Sequence, residues 1–411
     1  MLRKTTFVGA AVLLAIMAGC QSHAQSKQAA KERWQKATSQ IKLSLAKQQY
    51  ENGKYSEARK NVTECISAEP QSAEAHLVYG KVLLAEGERV KAENELHTAV
   101  ELKEELDEGW YWLGVAAQEA RQTDLASRCY DKALSLNGMK PDYVLAVAEM
   151  LTASKNYDDA VRLLEEKMKE MPRNVSLKVS AGDLMSRVGR LERAIELYRE
   201  ALLMAGEDES ISESLGYCYV FSDKWEEGAK IFTHLAEELE GLAASNPENE
   251  MSKEQQQKKR KVYLEMGALC SMKSGQYDRA VDCYSKLCVG DRDNAEVWVQ
   301  MGRAALGAGM TQRALACGQR AYSLRPGYAD ATNLIGCSEY AEGRYAEAAA
   351  SFEKLTTDKN NKGFAYLMCG RCYEQLGQKE RAERAYKKAL EINPESELGV
   401  FLAKNPGSQI K

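Results

Sequence analysis

Histidine is nearly missing from this chain: 411 residues hold four, His23, His76, His97 and His234. No pair shares the short helical spacing of an HExxH motif, which excludes that class of metal site. The GxSxG elbow, the Walker loop and the dinucleotide-binding glycine fingerprint are missing too. Carboxylates are plentiful but scattered as helix-surface charges, with no distinguished pair. An enzyme therefore has little support, and no cofactor, metal or small-molecule substrate is expected. Surplus charge of one sign is also lacking. Net charge is −4, and no region supplies the basic stripe that a phosphate backbone needs, so nucleic acid is not an expected partner. The densest basic run, Lys258-Lys259-Arg260-Lys261, stands beside Glu250 and Glu254 and reads as a solvated helix face. Proline is rare, but four of the seven, Pro70, Pro172, Pro326 and Pro394, stand at one phase of a 34-residue period.

That period organises the chain. With starts at 39, 73, 107, 141, 175, 209, 261, 295, 329 and 363, the eighth position is small in every repeat. A second small residue follows twelve places later, or thirteen from Gly267 to Ala280. Examples are Gly80/Ala92, Gly114/Ala126, Gly302/Ala314 and Gly370/Ala382. Small side chains at two fixed points let paired helices approach closely. Position 24 is large in most repeats: Leu96, Tyr130, Leu164, Tyr198, Phe232, Tyr284, Phe352 and Tyr386. Proline at position 32 ends the second helix, since it lacks an N–H and clashes with the turn before it.

The run Tyr366-Leu367-Met368-Cys369-Gly370-Arg371-Cys372-Tyr373, followed by Ala382, Tyr386 and Pro394, resembles the tetratricopeptide repeat (TPR) family, and the likeness extends over about residues 39–396. The resemblance implies an all-α fold, a right-handed superhelical solenoid of about ten helix-turn-helix repeats. It also implies a concave face lined by positions 2, 5, 9 and 12 of each first helix. Candidate partner-binding residues there are Leu77, Tyr111, Leu145, Val179, Val299 and Leu367 at position 5, and Lys81, Val115, Tyr217, Arg303 and Arg371 at position 9. Such a face, apolar with scattered charge, suits a protein or peptide partner. Any one of these residues is as readily inter-repeat core. Chaperone-binding members hold a carboxylate with lysine at position 5 and asparagine at position 9; no repeat here has either.

Residues 1–19 read as a signal peptide, with Arg3 and Lys4 before an apolar run from Phe7 to Met17. Met17-Ala18-Gly19-Cys20 resembles the bacterial lipoprotein processing box, although Met17 replaces the usual leucine. The resemblance implies cleavage before Cys20 and acylation of that residue, giving a mature charge of −6 once Arg3 and Lys4 are gone. Gln21 after the cysteine points by the family's sorting rule to an outer membrane and a periplasm-facing protein. Residues 20–38 then form lipidated cysteine and tether, with helix expected from Lys31 and Trp34 packing on the first repeat. Residues 39–240 hold repeats one to six, 241–260 an insertion, and 261–396 repeats seven to ten. Within the insertion, a lengthened second helix, a loop at Asn246-Pro247 and a helix start at Ser252, extending the first helix of repeat seven, are expected. Residues 397–411 should carry a short capping helix, around Leu398 to Leu402, and a tail.

Cys218, Cys270 and Cys372 share position 10, and Cys129, Cys283 and Cys317 share position 23, which argues for packing rather than chemistry. Cys369 and Cys372 have redox spacing but lie within a helix. The expected function is a non-enzymatic, lipid-anchored scaffold of the envelope, serving pilus, outer-membrane or exopolysaccharide assembly. The alternatives are a module that recruits or regulates a cell-wall or polysaccharide enzyme, and redox exchange at the Cys369/Cys372 pair.

Overall fold

The structure, a computed structural model, describes residues 27–28, 30–31, 33–245, 250–358 and 360–394. Cys20, the Asn246-Pro247 loop and the expected capping helix lie outside the described residues. Among the described residues there are helices and turns and no strand. Each repeat supplies two helices. The first unit, up to Val188, holds α1 (33–51) and α2 (Tyr55–Ala68), α3 (Ala73–Ala85) and α4 (Arg89–Leu102), α5 (Asp107–Glu119) and α6 (Thr123–Leu136), α7 (Pro141–Ala153) and α8 (Tyr157–Glu170), then α9 (Val175–Arg187). The second, from Gly189, holds α10 (Leu191–Ala205), α11 (Glu209–Phe221) and α12 (Trp225–Ser245), α13 (Glu250–Lys273) and α14 (Tyr277–Gly290), α15 (Ala295–Gly307) and α16 (Thr311–Leu324), α17 (Ala329–Ala341) and α18 (Tyr345–Leu355), and α19 (Lys362–Gln375) and α20 (Lys379–Ile392).

Helix starts follow local chemistry. Ser72, Asn174 and Asp208 each accept the backbone N–H three residues on, at 3.3, 2.9 and 3.0 Å, which satisfies one of the open donors of the helix they precede. The turn inside each hairpin is as regular. Gly87 N–H donates to Leu84 O at 3.0 Å and Glu88 N–H to Leu83 O at 2.8 Å, the paired bonds of a Schellman stop. Such a stop needs a left-handed residue, and position 15 of all ten repeats has φ between 57° and 80°. Seven of the ten are glycine; Arg121, Lys155 and Asp223 hold the same backbone with a side chain.

The small residue at position 8 has a more specific job than helix approach alone. A Cβ added to Gly114 would sit 2.6 Å from the Tyr130 ring, and one on Gly370 would sit 2.5 Å from that of Tyr386. Gly80 faces Leu96, Gly216 faces Phe232 and Gly336 faces Phe352 in the same way. Position 8 is thus the floor on which the large residue of position 24 lies, and that residue is buried in each of these repeats.

The unit boundary at Val188/Gly189 falls inside the fifth repeat, not at the insertion. There α12 and α13 are simply long, at 21 and 24 residues, and pack together with Phe232 and Tyr263 rings 6.1 Å apart. The second of these helices begins at Glu250, two residues before the expected start at Ser252. Trp34 is 69% exposed and does not pack on the first repeat.

Among the described residues nine cysteines are buried and Cys337 is half-buried. Cys270 and Cys283 fill niches beside Gly228 and Gly267, with sulfur 3.3 and 3.6 Å from where a Cβ would stand. Cys369 and Cys372 are buried free thiols on α19. Desolvation pushes their pKa up to about 12 and about 11, so the reactive thiolate is disfavoured at neutral pH.

Three outcomes test this packing. Gly114→Leu should cost about 1–3 kcal/mol, or more, read as a fall in melting temperature, because Tyr130 must leave its floor. Arg121→Gly should gain up to ~1 kcal/mol by relieving left-handed strain, less the entropy glycine loses on folding. Iodoacetamide at pH 8 should leave Cys369 and Cys372 unlabelled in the native protein and label both in urea.

Candidate partner-binding face

Positions 5 and 9 lie on the first helix of each pair, and the structure separates the candidates there into two groups. Leu77 and Val299 are core, 4% and 1% exposed. Leu77 packs with Leu96 of its own repeat and Leu113 of the next, and Val299 with Ala321 of its own repeat and Ala331 of the next. Neither presents a surface to a partner, which corrects their assignment. The other nine retain exposure: Lys81, Tyr111, Val115, Leu145, Val179, Tyr217 and Leu367 are half-buried, Arg303 and Arg371 exposed.

In the first unit these residues build two adjoining sites. Lys81 on α3 reaches Glu108 on α5 at 2.8 Å, with its ammonium 5.0 Å from the ring centres of both Tyr50 and Trp112. One repeat further on, Tyr111, Val115 and Leu145 come together around an open cavity of about 410 Å³ between α5 and α7. Tyr111 stacks on Tyr143 with ring centres 5.0 Å apart and leans on Tyr130 at 5.7 Å. Tyr130 donates its hydroxyl to Gln118 Oε1 at 2.7 Å, and Gln118 in turn donates to Glu149 at 3.3 Å. Asp142 and Glu149 stand on the rim, as does Glu119, which accepts from Arg89 at 3.0 Å. The Tyr111 hydroxyl is held above its ordinary pKa, chiefly by burial and then by Asp142 and Glu149. The cavity thus has an aromatic floor, an aliphatic wall and an acidic rim. Tyr130, Asp142 and Glu149 were not among the candidates: position 24 reads as core, and positions 2 and 9 of the fourth repeat fall on the concave face only as part of its scattered charge.

In the second unit Tyr217 meets Phe232 edge-on at 5.2 Å. Arg303 pairs with Asp330 at 2.8 Å. Leu367 packs beside the core of the last two repeats. The basic run at 258–261 is neutralised residue by residue: Lys258 by Glu254, Lys259 by Glu209 and Glu213, Arg260 by Glu240, and Lys261 by Asp291, at 2.7 to 3.4 Å. It is a solvated, paired helix face, as the sequence suggests.

Among the described residues one group has metal-ligand composition: Glu207, His234 and Glu238, with ligand atoms within 4.8 Å of one another. His234 and Glu238 form a helical i,i+4 pair at 3.6 Å, and two of the three side chains are exposed. His76 is instead a satisfied core histidine, bonded to Glu95 at 2.6 Å and to Pro70 O at 3.0 Å. No described helix is long and apolar enough to cross a membrane.

Two tetratricopeptide-repeat family models match the chain, one over residues 49–110 and 339–404, the other over 111–171 and 299–362. Lipopolysaccharide assembly protein B of Escherichia coli K12 is 25% identical over 322 residues, 72% of this chain and 70% of that protein. Among solved structures, Pseudomonas aeruginosa pilF covers 54% of this chain and 98% of its own at 14% identity and a TM-score of 0.45. A tetratricopeptide repeat protein of Parabacteroides merdae covers 65% and 99% at 17% identity and 0.40. With helices recurring at the repeat spacing along the described residues and the two family models together spanning more than half its length, the chain belongs to the tetratricopeptide repeat family.

Proposed function

We propose that this protein is a non-enzymatic, lipid-anchored scaffold of a bacterial cell envelope that holds partner proteins on the first helices of its repeats. Tetratricopeptide repeats mediate protein–protein interaction. The observation that carries the reading is the Tyr111–Val115–Leu145 cavity: an open, apolar and aromatic recess on the face where the family receives its partners. Its groups suit recognition, with no nucleophile set beside a base. The envelope assignment draws support from the likeness to lipopolysaccharide assembly protein B and from the Met17-Ala18-Gly19-Cys20 sequence. Acyl chains on Cys20 would hold the protein to the bilayer, at roughly 0.8 kcal/mol per buried CH₂. Gln21 favours the outer membrane, with the protein facing the periplasm.

Replacing Cys20 by alanine should move the protein from the membrane to the soluble fraction, and density-gradient separation of the native protein should place it with the outer membrane. Retention of the alanine variant on membranes would remove the anchor, and co-sedimentation of the native protein with the inner membrane would correct the sheet. A photo-crosslinking amino acid at Val115 should capture partner proteins in intact cells, whereas one at Leu203, 87% exposed on α10, should not. Equal capture at both positions would remove the special role of the first-helix face.

A further inference from the structure

At two junctions an ion pair links successive repeats at the same two positions. Lys81, at position 9 of the second repeat, bonds Glu108, at position 2 of the third, at 2.8 Å. Arg303, at position 9 of the eighth, bonds Asp330, at position 2 of the ninth, also at 2.8 Å. The same two positions between the third and fourth repeats hold Val115 and Asp142. The acid is kept and the cation is not. Asp142 has no cationic partner among the described residues, and neither has Glu149, one turn pair further along α7. Both border the 410 Å³ cavity, whose lining includes no lysine or arginine. Glu119, also on the rim, is the one acid of the three already met by a cation, Arg89.

Lys81 shows what such a place does when a cation fills it. Its ammonium sits between two aromatic rings, each 5.0 Å away, while Glu108 takes the charge. The neighbouring cavity repeats those parts: Tyr111 and Tyr130 for the rings, Asp142 and Glu149 for the carboxylate, and Val115 and Leu145 to cover an aliphatic stem. Its half-buried walls lower the local dielectric, which strengthens attraction to a cation brought in from outside.

We infer that the cavity between α5 and α7 takes a lysine or arginine side chain of a protein partner, whose charge stands where Lys81 and Arg303 stand in their own repeats. This rests on the reading of the first-helix face as the partner-binding face and names the chemistry it selects: an exposed basic side chain flanked by apolar residues. Asp142 and Glu149 meet the charge, Tyr111 offers the ring, and Val115 leaves the room.

The probes are two neutral-capped peptides, acetyl-Leu-Arg-Leu-amide and its uncharged citrulline isostere, titrated against the full chain by ligand-observed NMR at low salt. The arginine peptide should bind roughly fivefold to tenfold more tightly, the yield of one exposed ion pair and one cation–π contact, and the difference should shrink as salt is added. The Asp142→Asn, Glu149→Gln double variant changes exposed side chains only and should bring the two affinities to within about twofold. Val115→Lys should do the same by another route, supplying an internal cation that pairs with Asp142 as Lys81 pairs with Glu108. Equal binding of the two peptides by the native protein overturns the inference, as does a preference that survives both variants, or failure of either peptide to bind at millimolar concentration. If the crosslinker at Val115 still captures partners while the arginine preference is missing, the cation inference falls and the face remains. If capture at Val115 also fails, the binding-face reading falls with it.

Discussion

Everything in this molecule depends on how close two helices can come when one offers no side chain at the point of contact. In five hairpins a glycine at position 8 leaves a floor, and the large residue at position 24 of the partner helix lies down on it. Tyr130 over Gly114 and Tyr386 over Gly370 are the clearest cases. Burying such a ring removes on the order of 150–250 Å² from water, the largest single contribution a repeat of this size can make. The left-handed residue at position 15 makes the contact reachable, since it turns the chain back within three residues. Chain reversal recurs in all ten repeats, the glycine floor accompanies it in five of them, and the remaining positions are free to vary.

Much of this was legible in the sequence. The period, the small residues and the large residue at position 24 placed nearly every helix, and the first-helix starts at 73, 107, 141, 175, 209, 295 and 329 coincide with the repeat starts. Other features were less visible for physical reasons. Position 15 is glycine in seven repeats, a readable signal, but Arg121, Lys155 and Asp223 carry the same backbone with residues that give no hint of it. Position 5 misled twice. Leu77 and Val299 are buried in clusters that include Leu113 and Ala331 of the next repeat. Periodicity fixes the angle around the helix, not how far the next repeat covers it.

The insertion was more legible. The extra residues lengthen α12 and α13, the lengthening expected from the sequence, while Tyr263 of α13 packs on Phe232 of α12 and donates to Glu213 of α11 at 2.9 Å. Lys259 closes the same corner by pairing with Glu209 and Glu213. A run of four basic residues that could have been a binding patch is consumed in pairing: Arg260 with Glu240 of α12, Lys259 with two acids of α11, Lys261 with Asp291 after α14, and Lys258 with Glu254 on its own helix. The helices packed by these groups are shielded from view in the sequence because each carboxylate lies 20 or more residues from its cation, apart from the local Lys258–Glu254 pair.

Because the hairpin core is so uniform, specificity has to be written where the core does not reach, and positions 9 and 2 are such a place. An ion pair between successive repeats, as at Lys81–Glu108, saturates both charges and contributes little net stability at a surface. Removing its cation while keeping its acid is accordingly cheap for the fold: Val115 still packs, and Asp142 still has water. What changes is the field in the groove. Two carboxylates without cations, beside stacked tyrosines and an aliphatic wall, attract a positive charge that the chain itself does not supply. A solenoid can in this way mark one of its many similar grooves for a partner by leaving an internal pair unmade, at almost no cost to the packing that holds its repeats together.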